Sequence, residues 1–310
     1  MRAWLAVALL AVAPGCRTGP SPATPARLRI AVTLDDLPWQ GATAPGETRM
    51  QATRRLLEVL RARGVPATGF VNCDRIEPGE PILEAWLAAG MDLGNHTSGH
   101  LDLNRTDLDA WVADVESCHA VLARLGPRAV HWFRYPMLHE GATEERRAAA
   151  AAAVRRLGYA PAHVTVDNSE WILGGAYSRA LKRGGDPAVQ RALGERYVQH
   201  VAAAVAHFDR LSREALGRSI PHVLLLHANA LAADHLGAAL DALEGQGATF
   251  VSLEEALADP AYAAPERYVG PKGLSWLYRI HPELLERAGR WDDDQADALQ
   301  KQVDALDARP

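Results

Sequence analysis

Five short stretches of this chain carry side chains that could do chemistry together. Asp35 and Asp36 are adjacent, His96 and His100 stand four residues apart, Arg134 follows Trp132-Phe133, Asp167 precedes Glu170-Trp171, and His227 closes an apolar run. Two imidazoles and one carboxylate make three metal ligands and leave a position for water, the donor count of a hydrolytic zinc site. A second carboxylate beside the ion can accept a proton, and a histidine from another strand can give one to a leaving group. Singly, each stretch has a plainer use. Asp-Asp suits a turn before Pro38, two histidines at this spacing suit one side of a helical turn, and His227 suits a buried structural role. Arg134 suits a buried ion pair, and Trp171 suits a core. His139, close to Arg134, is a weaker candidate for the same site.

The elements that must position these groups alternate regularly. Residues 28–34 are short, apolar and β-branched and read as a buried strand, and 67–72, 91–95, 129–133, 159–166, 222–226 and 248–251 read as six more strands. Helical spacing or helix signals between them predict helices over 47–63, 81–89, 106–125, 143–157, 187–216 and 231–243. Thr106 and Asp109 have capping-box-like spacing at the start of the third. Such alternation implies parallel strands joined by βαβ crossovers. Seven units in this length predict an α/β barrel, with an open doubly wound sheet as the alternative. Five strands release a polar group at their C-terminal ends, the face on which barrel enzymes build their sites.

Composition bounds the rest. The 310 residues carry 33 Lys and Arg against 38 Asp and Glu, a formal charge of -5. That balance speaks against a nucleic-acid partner held by a basic field. With 48% hydrophobic and 23% charged residues, the chain is not a disordered one. Residues 1–16 read as a signal peptide, with a short basic start and an apolar run too short to span a bilayer. Cys16 after Pro14-Gly15 resembles the lipidated cysteine of a bacterial lipoprotein, and an ordinary secretory leader is the alternative. The expected location is the periplasm or cell envelope, with membrane contact only through that anchor. Residues 17–27 read as a tether, 28–259 as the barrel, and 260–310 as an extension that wraps on it and ends in a frayed tail. Cys73 and Cys118 either pair or remain two buried thiols.

The ordered motifs Thr33-Leu34-Asp35-Asp36, Asn95-His96-Thr97-Ser98-Gly99-His100, Arg134-Tyr135-Pro136, Asp167-Asn168-Ser169-Glu170-Trp171 and Leu225-Leu226-His227 resemble those of the polysaccharide deacetylase family, the NodB-homology domain. The resemblance implies a distorted (β/α) barrel and metal-dependent removal of acetyl groups from N-acetylated amino sugars of a polysaccharide or peptidoglycan. Carried over by position, Asp36, His96 and His100 would hold a divalent metal, zinc in the first instance. Asp35 would be the base, Arg134 its tether and His227 the acid, with Glu170 or Asp167 orienting it. The Met137 N–H would hold the oxyanion, Trp171 and Leu225 would form the acetyl pocket, and Tyr135 would stand on the substrate side. Leu34 and Glu170 depart from the usual Phe and Asp. O-deacetylation, or non-catalytic carbohydrate binding on the same fold, are the competing activities.

Overall fold

The computed structural model describes residues 27–126, 131–288 and 291–307. The predicted leader, the Cys16 anchor and nearly all of the tether lie outside the described residues. A parallel sheet runs in the order β5-β4-β3-β2-β1-β6, with β7 joining the start of β1. The strands are β1 (Arg29–Gln40), β2 (Ala67–Val71), β3 (Asp92–Asn95), β4 (Trp132–Phe133), β5 (Ala160–Pro161), β6 (Pro221–Asn229) and β7 (Thr249–Phe250). The sheet curls. Beyond β5 the chain reaches β6, where Val166 pairs with Leu224 and the Leu225 N–H donates to the Val166 carbonyl. The result is a (β/α) barrel, as the alternation of elements predicts, distorted as the family resemblance implies.

Helices cover the outside: α1 (Arg49–Ala62), α2 (Ile82–Ala88), α3 (Leu108–Leu122), α4 (Glu144–Arg156), α5 (Trp171–Lys182), α6 (Pro187–Leu216) and α7 (Ala230–Gly245). Each buries one apolar stripe, such as Leu56, Leu57 and Leu60 on α1 and Leu193, Val201, Val205 and Phe208 on α6. α6 begins after Asp186, whose side chain accepts from the Ala188 N–H, and stops at Gly217 in the left-handed conformation. The cap of α3 is Asp107, accepting from the Asp109 and Ala110 N–H groups, and not Thr106.

Three further expectations need correction. β5 is two residues long, because the chain leaves β4 after Pro161 and crosses to β6. α5 was absent from the helices predicted; two adjacent glycines, Gly174 and Gly175, interrupt its apolar pattern. The C-terminal tail is not frayed over its described part. After α8 (Leu253–Leu257), α9 (Trp276–Ile280) and α10 (Glu283–Ala288), α11 (Trp291–Asp307) packs on α5, burying Leu299 and Val303. Among the described residues no helix is long and apolar enough to cross a membrane.

Cys73 and Cys118 form a disulfide, their Cα atoms 5.3 Å apart. It ties the turn Cys73–Arg75 to α3, and between those two elements lies the loop from His96 to His100. The Asp74 N–H donates to the Ser98 carbonyl, the Ser98 hydroxyl to Asp74 at 2.6 Å, and the Gly99 N–H to Asp114 of α3 at 2.9 Å. Closing a loop of 45 residues removes unfolded-chain entropy worth about 4 kcal/mol in the chain-entropy picture. Reduction is therefore expected to lower the melting temperature by several degrees, and to weaken metal binding at the clamped loop. Calorimetry and metal titration with and without dithiothreitol check both effects.

Candidate metal centre and active site

β1 supplies two neighbouring carboxylates to one cavity, which a regular strand cannot do because successive side chains alternate faces. A register shift against β2 between Leu34 and Leu37, with Asp36 at φ 66°, breaks the alternation. Asp35 and Asp36 thus lie inside the strand rather than after it, and both line an open cavity of about 400 Å³. Both are nearly inaccessible to solvent.

His96 and His100 follow β3 on a loop, not a helical turn. Left-handed Thr97 (φ 65°) and His100 (φ 57°) fold it so that the two rings stand 4.9 Å apart. Ligand atoms of Asp36, His96 and His100 all lie within 4.8 Å of one another. Asp36 Oδ1 is 3.7 Å from His100 Nε2. It is buried without a hydrogen-bond donor, whereas Asp36 Oδ2 accepts from Gln40 Nε2 at 2.7 Å and faces Arg75 at 3.5 Å. His96 Nδ1 lies 2.7 Å from the Arg134 carbonyl, which can only accept, so Nδ1 carries the proton and Nε2 presents its lone pair to the cavity.

Charge agrees with this arrangement. Burial lowers the His96 imidazole against the pull of Asp35 and Asp36, and burial with the nearby His96 pushes His100 down to about 4. Both are neutral near pH 7, as metal ligands must be. Burial alone would raise the Asp36 carboxyl, but His227, His96, Arg75 and His100 together hold it below the ordinary range. A buried carboxylate oxygen with no donor, facing two neutral imidazoles, fits a divalent cation.

Arg134 follows β4 and turns into the barrel. Its guanidinium, 1% exposed, donates to Asp35 at 3.1 and 3.3 Å, to the Ala162 carbonyl at 2.8 Å and to Thr33 Oγ1 at 3.3 Å, over the ring of Phe70. It therefore fixes the Asp35 carboxylate from below, while Asp35 Oδ2 stands 3.7 Å from His96 Nε2.

On the other flank, His227 of β6 is the register partner of Asp35. Its Nδ1 is 2.9 Å from Glu170 Oε1, and the Glu170 N–H donates to Asn168 Oδ1 at 2.9 Å. Asn168 in turn donates to the Leu225 carbonyl, and its own carbonyl accepts from His200 of α6. Burial alone would lower the His227 imidazole. The hydrogen bond and charge of Glu170, with Asp36 and Asp35 nearby, outweigh this and raise it to about 9. Of the two acids considered as its partner, Glu170 makes the contact; Asp167 lines the cavity.

Part of the cavity wall is apolar. Leu225 packs with Leu138 and Val164, Met137 is 42% exposed and Trp171, opening α5, is 54% exposed. Trp171 is thus a surface at the mouth rather than a core residue. Tyr135 does not stand on the substrate side: its side chain is buried, stacked on Trp111 at 5.8 Å and edge-on to Phe133. The extended residue before Pro136 turns that ring away from the cavity. His139 also stays out of the cavity and pairs with Asp102 at 2.8 Å.

Several residues lie outside the motifs: Gln40 and Arg75 against Asp36, and His200 behind Asn168; Thr33 lies within one, but its contact with Arg134 is not legible there. Backbone strain is a further marker. Among the described residues, those other than glycine with positive φ are Asp36, Thr97, His100, Met137, Leu138 and Ser169. Each such conformation costs on the order of 1–3 kcal/mol and persists only where surroundings enforce it, typically at functional sites. All six stand in the strands and loops around this one cavity.

The sequence model of the polysaccharide deacetylase family matches residues 23–162, a span that includes Asp35, Asp36, His96, His100 and Arg134. Those residues, just under half of the chain, are similar to the polysaccharide deacetylase family. Glu170, Trp171, Leu225 and His227 lie beyond the matched span. The chain is similar in structure to a chitin deacetylase from the fungal pathogen Colletotrichum lindemuthianum, with TM-score 0.52 and 20% identity over 74% of this chain and 88% of that one. It is also similar to a CE4 family pseudoenzyme from Bacillus anthracis, with TM-score 0.50 and 15% identity over 76% of this chain and 67% of that one. A mutant of that pseudoenzyme with restored enzymatic activity gives TM-score 0.50 and 16% identity, over 76% and 70%. These likenesses establish the fold. Since the fold has both active and inactive bearers, activity must be argued from the side chains.

Proposed function

We propose that this protein is a metal-dependent hydrolase that removes acetyl groups from N-acetylated amino sugars of a polysaccharide or of peptidoglycan. The observation that carries the reading is one cavity holding a three-ligand cluster (Asp36, His96, His100) between an Arg134-tethered carboxylate and a Glu170-bound histidine. A divalent ion held by those three residues, zinc being suited to two nitrogens and an oxygen, would supply Lewis-acid polarisation of the acetamide carbonyl and a more acidic water.

The chain's own residues do the rest. Asp35 takes a proton from the attacking water, and Arg134 aims its carboxylate. The Met137 N–H donates to the oxygen that becomes negative as the carbonyl carbon turns tetrahedral. His227, held protonated by Glu170, delivers its proton to the sugar nitrogen as the C–N bond breaks. Acetate and a free amine result. Leu225 and Leu138 shape the space for the acetyl methyl, and Trp171 and Met137 form the exposed walls across which the glycan lies.

Export fits this chemistry. The leader-like residues 1–16 and the disulfide both suit an oxidising envelope compartment, and Cys16 is the candidate for lipid attachment there.

The test is acetate release from a panel of acetylated glycans, chitin oligosaccharides and peptidoglycan included, by metal-stripped protein before and after adding zinc. The reading predicts zinc-dependent acetate with one new primary amine per acetate. Acetate without amine would mean O-deacetylation, and retained glycan binding without turnover would mean a binding module.

A further inference from the structure

The turn that carries Met137 is held in an unfavourable shape. Met137 and Leu138 are consecutive residues in the left-handed region, at φ 55° and 54°. Its own hydrogen bonds, from the Leu138 N–H to the Tyr135 carbonyl and from the His139 N–H to the Pro136 carbonyl, close a single short turn. A strained pair of this kind needs outside support. That support comes from the C-terminal extension, more than one hundred residues away along the chain and beyond the span matched by the family.

Two grips bracket the turn. At its front, Gly273 is seated directly on Met137: an added Cβ would stand 2.0 Å from the Met137 carbonyl oxygen and 3.2 Å from Leu138 Cβ. Only glycine lets the two main chains approach so closely. The Pro271 carbonyl, two residues earlier, accepts from Asn104 Nδ2 at 2.9 Å. At its back, Glu140 meets the buried Arg279 and His163, each at 3.5 Å. Arg279 also pairs with Glu266, which Arg147 engages at 3.2 Å. Between the grips the extension is pinned to the barrel: the Trp276 N–H donates to the Val164 carbonyl, Ser275 Oγ to the Thr165 carbonyl at 2.7 Å, and Trp276 stacks on His163.

We propose that residues 266–279 of the extension are a positioning element for the turn Pro136–Leu138, with Gly273 as the residue that admits and fixes the Met137 main chain. The proposal rests on the reading that the Met137 N–H serves the oxyanion. A contact made only in the transition state alters kcat and leaves KM almost untouched when it is misaimed.

The test compares Gly273→Ala with Leu243→Ala, a destabilising change in α7, both in the full-length, zinc-loaded protein. In Gly273→Ala, amide hydrogen exchange should quicken at Leu138 and His139. Its kcat should fall by about 10- to 100-fold, less than the ~10²–10³-fold that follows deletion of an oxyanion donor. KM and zinc content should stay near wild type. Leu243→Ala should lower the melting temperature without either local effect. The proposal is overturned if the two variants match in exchange at those amides or in kcat. If the wild-type protein releases no acetate from any glycan, the deacetylase reading fails, and exchange at Leu138 and His139 alone still decides whether Gly273 holds the turn.

Discussion

Asp35→Asn is expected to bind zinc as the wild type does while losing about 10²–10⁴-fold in kcat, the usual worth of a positioned base. The ligand set Asp36, His96 and His100 is untouched, and an amide has almost the shape of a carboxylate but cannot take up a proton. Stability should also fall. Arg134 is 1% exposed and gives Asp35 two hydrogen bonds, and Asn returns only one neutral acceptor. The loss should stay below the ~3–5 kcal/mol that follows outright removal of a buried ionic partner, because Thr33 and the Ala162 carbonyl still receive the guanidinium. Acetate assays, metal analysis and calorimetry on one preparation separate the effects. Near wild-type kcat with full zinc would mean that another group is the base.

The second large effect belongs to the acid. His227→Ala should lower kcat on an N-acetyl sugar by about 10²–10⁴-fold, and far less on an aryl acetate, whose leaving group needs no proton. The wild-type profile should fall on the alkaline side near pH 9, where His227 loses its proton. In Glu170→Gln the neutral amide no longer stabilises the imidazolium, so that limb should move down towards the ordinary value of 6.5. The stability sign follows. Folding raises this pKa, so the pair's contribution is fully present below pH 6.5 and is lost as pH rises through about 9. An alkaline limb unmoved in Glu170→Gln would separate His227 from the acid step.

Much of this architecture is legible in residue order, because parallel strands buried on both faces leave continuous apolar runs and their helices leave stripes. The carboxylates, imidazoles, Arg134 and His227 stand out because each ends, or lies within, such a run. What stays hidden depends on backbone geometry and on contacts distant in sequence. The bulge at Asp36 is not encoded by glycine or proline at that position, so the strand reads as ending early. Tyr135 departs from its expected place because backbone angles, not residue type, decide which way its ring turns. Gln40 and Arg75 reach Asp36 from positions that carry no motif, and Gly273 touches Met137 across most of the barrel domain's sequence. The short β5 and the helix α5 were misread for a related reason: their local propensities are weak, and crossing to β6 decides the path.

The account depends first on one shared ion. Calorimetric titration of the metal-stripped protein with Zn²⁺ tests it most directly, in the wild type and in Asp36→Ala, His96→Ala and His100→Ala, with His139→Ala as the control histidine. One site per chain, retained in His139→Ala and lost or strongly weakened in each of the other three, is the predicted result. Wild-type affinity in any one of those three, or no stoichiometric site in the wild type, would contradict it.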